Sequence, residues 1–404
     1  MNEEKKTLGI YVHVPFCKSK CAYCDFYSLP HAEEKMDAYV KAVSAHLSET
    51  APQAENHAAD TVYFGGGTPS LLGSKRLREL LAVIRKRYHV TPDAEITLEA
   101  NPDSACDWKE LRALRRAGFN RISLGMQSAS DDELREIGRI HTFAQVRESV
   151  EAARRAGFQN LSLDLIYGLP RQTMDRWKEN LQAAVSLAPQ HLSCYGLKVE
   201  EGTPLYARRD EAGLPGDDEQ AEMYLFAVDF LLHYGYPQYE ISNFARPGFE
   251  SRHNLKYWTL QEYAGFGPGA HSDFGGVRYA YERDLDAYLA GVLEGRPMLS
   301  ESERIPPLER DTEYIMLGLR TVRGLVPREF ENRYRRRFDC LTPFLERCRD
   351  AGYAVCMEDG SWHLTPRGFL VSNQIIGEAL DVLGEDKRRR ADAAARGDYR
   401  VRLD

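Results

Sequence analysis

Three cysteines stand close together in Cys17-Lys18-Ser19-Lys20-Cys21-Ala22-Tyr23-Cys24, directly after the strand-like run Gly9 to Val14. Zinc is one reading of such a loop. Structural zinc sites take four ligands in paired Cys-x2–4-Cys knuckles, and no second knuckle occurs elsewhere in the sequence. Soft thiolates also suit iron–sulfur clusters, where each cysteine binds one iron. On a four-iron cluster three cysteines leave one iron open, so that a substrate or cofactor can reach the metal. Cys106, Cys194, Cys340, Cys348 and Cys356 have no ligand spacing and read as ordinary thiols of a reducing compartment.

Other chemistry-bearing residues punctuate the chain at intervals. Gly65-Gly66-Gly67-Thr68-Pro69 closes a second strand-like run. Glycines there let a backbone approach a ligand, although a glycine run by itself is most often a tight turn, and this one has neither a Walker nor a dinucleotide pattern. Glu99 in Glu-Ala-Asn-Pro, Gln127 in Gly-Met-Gln-Ser and Asp164 in Leu-Asp-Leu-Ile-Tyr fall at or near the ends of three further strands. Any one of them could be a helix N-cap, whereas all three on one face favour a site. Arg252-His253-Asn254-Leu255-Lys256-Tyr257-Trp258 precedes the glycine-rich Gly265 to His271. Histidine can ligate haem iron, and aromatics with glycines can form a flat slot for a porphyrin. On the residues alone, a hydrogen-bonded structural histidine is the commoner outcome.

The elements that must position these groups follow from the periodicity. From Gly9 to about Glu200 a short β-branched run, a polar or glycine-rich end and an amphipathic stretch recur, with strands expected at Gly9–Val14, Thr61–Phe64, Glu95–Glu99, Arg121–Gly125, Leu161–Ile166 and His191–Leu197. Arg115-Arg116-Ala117-Gly118-Phe119 is repeated as Arg154-Arg155-Ala156-Gly157-Phe158, each glycine falling where a helix needs a left-handed residue to stop. Successive βα units imply an α/β fold with a parallel sheet, either open or a full or partial barrel, and ligands at the C-terminal ends of its strands. The spacing sets the core at 1–240 and an aromatic, glycine-rich α+β extension at 241–303. A C-terminal winged-helix-like domain follows at 304–383, with a hairpin around Glu358-Asp359-Gly360 and a helix at Pro366–Leu383, then a charged tail at 384–404.

A charged fraction of 28% and no apolar run near the ~18 residues of a membrane span predict a soluble protein. The polar Met1 to Thr7 offers no signal peptide and points to a cytoplasmic protein. A net charge of −8 argues against a nucleic-acid binder, and runs such as Arg333 to Arg337 and Lys387 to Arg390 read as solvated faces.

Cys-x3-Cys-x2-Cys after a first strand resembles the signature loop of radical S-adenosylmethionine (SAM) enzymes, in which a [4Fe-4S] cluster presents its open iron to SAM. That resemblance implies a partial (β/α)6 barrel and assigns Cys17, Cys21 and Cys24 to the cluster. By similarity to the oxygen-independent coproporphyrinogen III oxidase group, Tyr11, Gly66, Gly67, Thr68, Glu99, Gln127, Arg139 and Asp164 match the positions that hold SAM, and Tyr23 an aromatic position beside it. His-Asn-x-x-Tyr-Trp resembles the haem motif of the haem-chaperone branch of that family, with His253 at the place of its haem ligand. The resemblance covers almost the whole chain.

True oxidases of the group carry a fourth cysteine two residues past the third and an N-terminal extension. Here Phe26 takes the cysteine's place and only eight residues precede Gly9. The resemblance therefore implies a protein that binds haem and delivers it to apo-haemoproteins. The alternative is an oxidase that decarboxylates propionates through a 5′-deoxyadenosyl radical; no catalytic residue is assigned. A homodimer and peripheral membrane contact are compatible with the chaperone reading.

Overall fold

The computed structural model describes residues 5–296 and 298–396; Met1 to Glu4 of the polar N-terminus and 397–404 of the charged tail lie outside the described residues. The chain forms two compact units: one runs to Gln238 and adds Ser242–Lys256 and Gln261–Arg304, and the other holds Tyr239–Ile241, Tyr257–Leu260 and the chain from Ile305.

Every expected βα strand is present in the larger unit: β1 (Lys6–Val14), β2 (His57–Gly66), β3 (Val90–Ala100), β4 (Arg121–Gln127), β5 (Asn160–Tyr167) and β6 (His191–Gly196). They lie parallel and in sequence order. The helices α1 (Met36–Thr50), α2 (Gly73–Arg87), α3 (Trp108–Ala117), α4 (Phe143–Ala156) and α5 (Met174–Ser186) lie between successive strands. The repeated glycines do what their positions predict. Gly118 ends α3 at φ 114° and Gly157 ends α4 at φ 99°, a region where a Cβ is strained.

Side chains alternate across a strand, and here the alternation separates two chemistries. One face carries Val12, Val62, Phe64, Leu98, Ile122, Leu124, Leu163 and Leu192, all buried. The register of neighbouring strands stacks the other set in rows, with Glu99 beside Ser123, Ser123 beside Ser162, Ser162 beside His191, and Asp164 beside Ser193. Parallel strands covered on both sides are usually apolar on both. A buried polar face is costly unless its groups are bonded, and here Ser162 bonds His191 and Ser193 bonds Asp164.

The 241–303 stretch extends this sheet at both edges. Tyr263–Phe266 runs parallel to the free side of β1 and is followed by the antiparallel strands His271–Phe274, Val277–Tyr281 and Leu299–Arg304. Asn243–Ala245 runs antiparallel to β6. The six-stranded array is therefore open between β1 and β6 among the described residues.

In the second unit, helices Asp311–Gly318, Pro327–Tyr334 and Thr342–Asp350 precede a hairpin of Ala354–Cys356 and Trp362–Leu364 that turns at Gly360. The next helix breaks after Pro366–Leu370. It resumes as Ser372–Ala395, running past Leu383, where the sequence places its end. A buried charge accounts for the extension: Asp311, fully buried, meets Lys387 Nζ at 2.7 Å and Arg336 Nε at 2.9 Å. Lys387→Ala is expected to cost about 1–3 kcal/mol in urea unfolding by leaving that carboxylate short of a cation, whereas Arg388→Ala, an exposed neighbour, leaves the transition unmoved.

Candidate metal centre

The cysteine loop begins where β1 ends, at the C-terminal edge of the parallel strands. Phe16–Cys17 pairs with Leu29–Pro30, the Cys24 N–H donates to Cys21 O at 3.2 Å, and the Ala22 N–H donates to Ile137 O at 3.0 Å. The turn after β2 packs directly on this loop. The Gly67 N–H donates to Val14 O and the Thr68 N–H to Phe16 O, both at 2.8 Å. A Cβ on Gly67 would fall 2.8 Å from Phe16 O, 2.9 Å from Val14 O and 3.1 Å from Cys17 Sγ. The close approach that the glycines permit is thus, at Gly67, to the protein's own cysteine loop.

Side chains of neighbouring segments reach the cysteine sulfurs, Ser28 among them at Cys17. Thr68 Oγ1 lies 3.4 Å from Cys17 Sγ, and Arg139 donates from Nη1 to Cys21 Sγ at 3.4 Å. Arg139 is held by Asn101 Oδ1 at 2.7 Å and Gly125 O at 3.0 Å. The Asn101 amide in turn donates to Thr68 Oγ1 at 3.0 Å. Lys18 pairs with Asp103 at 2.9 Å beside them. Tyr23 packs on Ile137, Ile166 and Leu169 with its phenol hydrogen-bonded to Arg139. Phe26, two residues past Cys24, is 68% exposed.

Among the described residues no three His, Cys, Asp or Glu side chains converge closely enough to hold one metal ion. Burial pushes the Cys17 and Cys24 thiols up.

The polar face of the sheet gathers the other candidates. Glu99 accepts from Tyr63 Oη at 2.6 Å and from the Gly66 N–H at 3.0 Å. Burial pushes its carboxyl up to about 7 against the Tyr63 and Gly66 hydrogen bonds and the Arg121 charge, and the Asp164 charge adds to the rise. Asp164 accepts from Ser193 Oγ at 2.7 Å and from Ser123 Oγ at 3.2 Å, and burial raises it as well. Gln127 ends β4 at φ 62°, a left-handed conformation rare outside glycine. Its Nε2 and Arg139 Nη2 each lie 2.9 Å from where a Gly125 Cβ would stand. Tyr11 Oη lies 3.1 Å from His13 Nδ1.

His253 lies against the same face but away from the cysteines. It is 1% exposed, with Nδ1 2.8 Å from Thr61 Oγ1 and its backbone N–H on Glu95 Oε1 at 3.1 Å. Its ring stacks on Tyr63 at 5.1 Å and Tyr11 at 6.3 Å. Burial first, then Lys256 and Arg121, lower its pKa to about 3, which leaves the imidazole neutral. Tyr257 and Trp258, the rest of the motif, fall in the second unit.

The structure thus joins Cys17 to Thr68 and Cys21 to Arg139, brings Gln127 to Arg139, and joins Gly66 to Glu99, with Asp164 within electrostatic reach of Glu99. Asn101, Tyr63 and Thr61 were not singled out in the sequence. Asn101 stands two residues from Glu99 in the same Glu-Ala-Asn-Pro motif, while Tyr63 and Thr61 read as ordinary strand residues.

A family model described as the radical SAM superfamily matches residues 11–184, and one described as the HemN C-terminal domain matches residues 305–371. The chain is 35% identical to the heme chaperone HemW of Bacillus subtilis over 92% of this chain and 99% of that one. It is 34% identical to the heme chaperone HemW of Escherichia coli over 91% and 97% respectively. Coproporphyrinogen III oxidase (HemN) from Escherichia coli superimposes with a TM-score of 0.80 at 24% identity, covering 92% of this chain and 89% of that one. That likeness is one of fold.

Gly67→Ala is expected to destabilise the protein by about 1–3 kcal/mol through the backbone clash with Phe16 and Val14, and to lower the iron bound after reconstitution. Calorimetry and iron analysis check both. Because folded Glu99 keeps its proton above the ordinary 4.5, its contribution to native stability falls as pH rises from about 4.5 to 7. In urea unfolding of the cluster-free protein, the stability of Glu99→Gln relative to wild type should rise by about 2–3 kcal/mol between pH 5 and pH 8.

Proposed function

This chain belongs to the HemW haem-chaperone family of radical SAM proteins, and from that premise we propose that it takes up haem and hands it to apo-haemoproteins in the cytoplasm. The observation that carries this reading is the match to curated haem chaperones over nearly the full length of both chains. In this reading Cys17, Cys21 and Cys24 would hold a [4Fe-4S] cluster, which would supply one-electron reduction to bound SAM. Tyr11, Tyr23, Gly66, Gly67, Thr68, Glu99, Gln127, Arg139 and Asp164 form the SAM site. The donor set suits that ligand: Glu99 and Asp164, both raised by burial, gain from a cationic ammonium and sulfonium beside them.

His253 is assigned to haem iron in this proposal, and its neutral imidazole is the form that ligates a metal. In the conformation described here Thr61, Tyr63 and Tyr11 enclose it. Haem ligation therefore requires the Arg252–Trp258 helix to release the ring from the sheet face. No helix of the described residues is long and apolar enough to cross a membrane. The proposal places haem transfer on contacts with acceptor proteins, with a homodimer and peripheral membrane attachment as further features to be measured.

An anaerobic haem titration of the cluster-reconstituted protein tests the reading. Wild type is expected to take up one equivalent, and His253→Ala to bind at least roughly tenfold more weakly, on the order of one lost metal–ligand contact. Equal binding by both proteins returns His253 to a packing role. No binding by either, with CO2 released from coproporphyrinogen III, replaces the chaperone by a decarboxylase.

A further inference from the structure

We propose that Asn101 is a positioning residue that raises the reduction potential of the cluster by aiming two hydrogen-bond donors at two of its cysteine sulfurs. Its side-chain oxygen accepts from Arg139 Nη2 at 2.7 Å, and its side-chain nitrogen donates to Thr68 Oγ1 at 3.0 Å. Each partner ends on a different sulfur, Arg139 on Cys21 and Thr68 on Cys17, both at 3.4 Å. One amide therefore connects the donors to the first two cysteines of the loop, Cys17 and Cys21.

The chemistry of the amide determines the direction of both contacts. With the amide turned over, its NH2 would face the Arg139 guanidinium, donor against donor, so the observed orientation is the one the neighbours allow. A Thr68 oxygen that already accepts the Asn101 N–H keeps its own hydrogen for the sulfur. A thiolate bound to iron has no proton, so in that pair the hydroxyl must be the donor. Arg139, held at Nη2 by Asn101 and by Gly125 O, is left with Nη1 on Cys21.

Asn101 itself is fixed. It is extended, at φ −93° and ψ 145°, as a residue before proline prefers. Hydrogen bonds to cluster sulfurs disperse the negative charge that reduction adds and so favour the reduced state.

The inference rests on the assignment of a cluster to Cys17, Cys21 and Cys24, and the test separates the two. Full-length wild type, Asn101→Ala and Thr68→Val are reconstituted anaerobically, their iron and sulfide are counted, and their midpoints are measured without SAM by potentiometric titration followed by electron paramagnetic resonance. Asn101→Ala is expected to keep its cluster and to titrate at a more negative potential, with a roughly threefold to tenfold lower ratio of reduced to oxidised cluster at the wild-type midpoint. Thr68→Val, which removes only the hydroxyl facing Cys17, should move the same way by less.

An Asn101→Ala midpoint equal to wild type overturns the proposal. If that variant holds no cluster, an unmoved midpoint in Thr68→Val overturns it instead, and a more negative one supports it. A wild type that binds no cluster overturns the cluster assignment itself.

Discussion

The turn after β2 lies backbone to backbone on the cysteine loop, and the rest of the site depends on that contact. Two main-chain hydrogen bonds, from Gly67 to Val14 and from Thr68 to Phe16, tie the turn to the segment that leads into Cys17. They form only because residue 67 has no Cβ to meet those carbonyls. Once the two segments are joined, Thr68 stands against Cys17, Asn101 reaches Thr68, and Arg139 reaches both Asn101 and Cys21. The loop that carries the thiols is thus held from outside itself, by residues on the ends of the neighbouring strands, and its shape does not rely on its own short turns.

The polar face of the sheet sets a second condition. Glu99, Asp164 and Arg121 are carried on strands whose opposite sides are packed apolar core. Charges in such a position are expensive unless paired or hydrogen-bonded. The protein meets part of that cost with Tyr63, Ser123, Ser193 and the Gly66 N–H, yet both carboxyls remain raised. A face left in that condition favours a ligand that brings positive charge. The same incomplete compensation makes the protein without its ligands less stable above neutral pH than its packing alone would allow.

The haem motif shows a different economy. His253 is bonded to Thr61, stacked on two tyrosines, and carried on a helix whose first N–H groups are taken by the Glu95 carboxylate. Lys256, one turn on, is paired with Asp60 at 2.7 Å. In this conformation the histidine proposed for haem is hydrogen-bonded and stacked, and the segment anchors its helix to the sheet. Its stacking on Tyr63, the partner of Glu99, also places it one ring away from the carboxylate face.

The sequence by itself determined the order of the βα units, the two glycine helix stops, the place of the cysteine loop at the end of the first strand and the positions of Glu99, Gln127 and Asp164 near strand ends. All of these are local properties, set by period, by backbone conformation or by residue type at short spacing. Tertiary structure alone decided the rest. Gly67 is needed because another loop approaches it, Asn101 matters because β3 lies between the strands that lead to Thr68 and Arg139, and His253 is buried because Thr61 and Tyr63 on β2 face it. The helix from Ser372 continues past Leu383 because Lys387 meets a buried aspartate more than seventy residues earlier in the chain. A contact between distant segments leaves no periodic trace in the chain, since either partner alone has the composition of an ordinary strand, turn or surface helix.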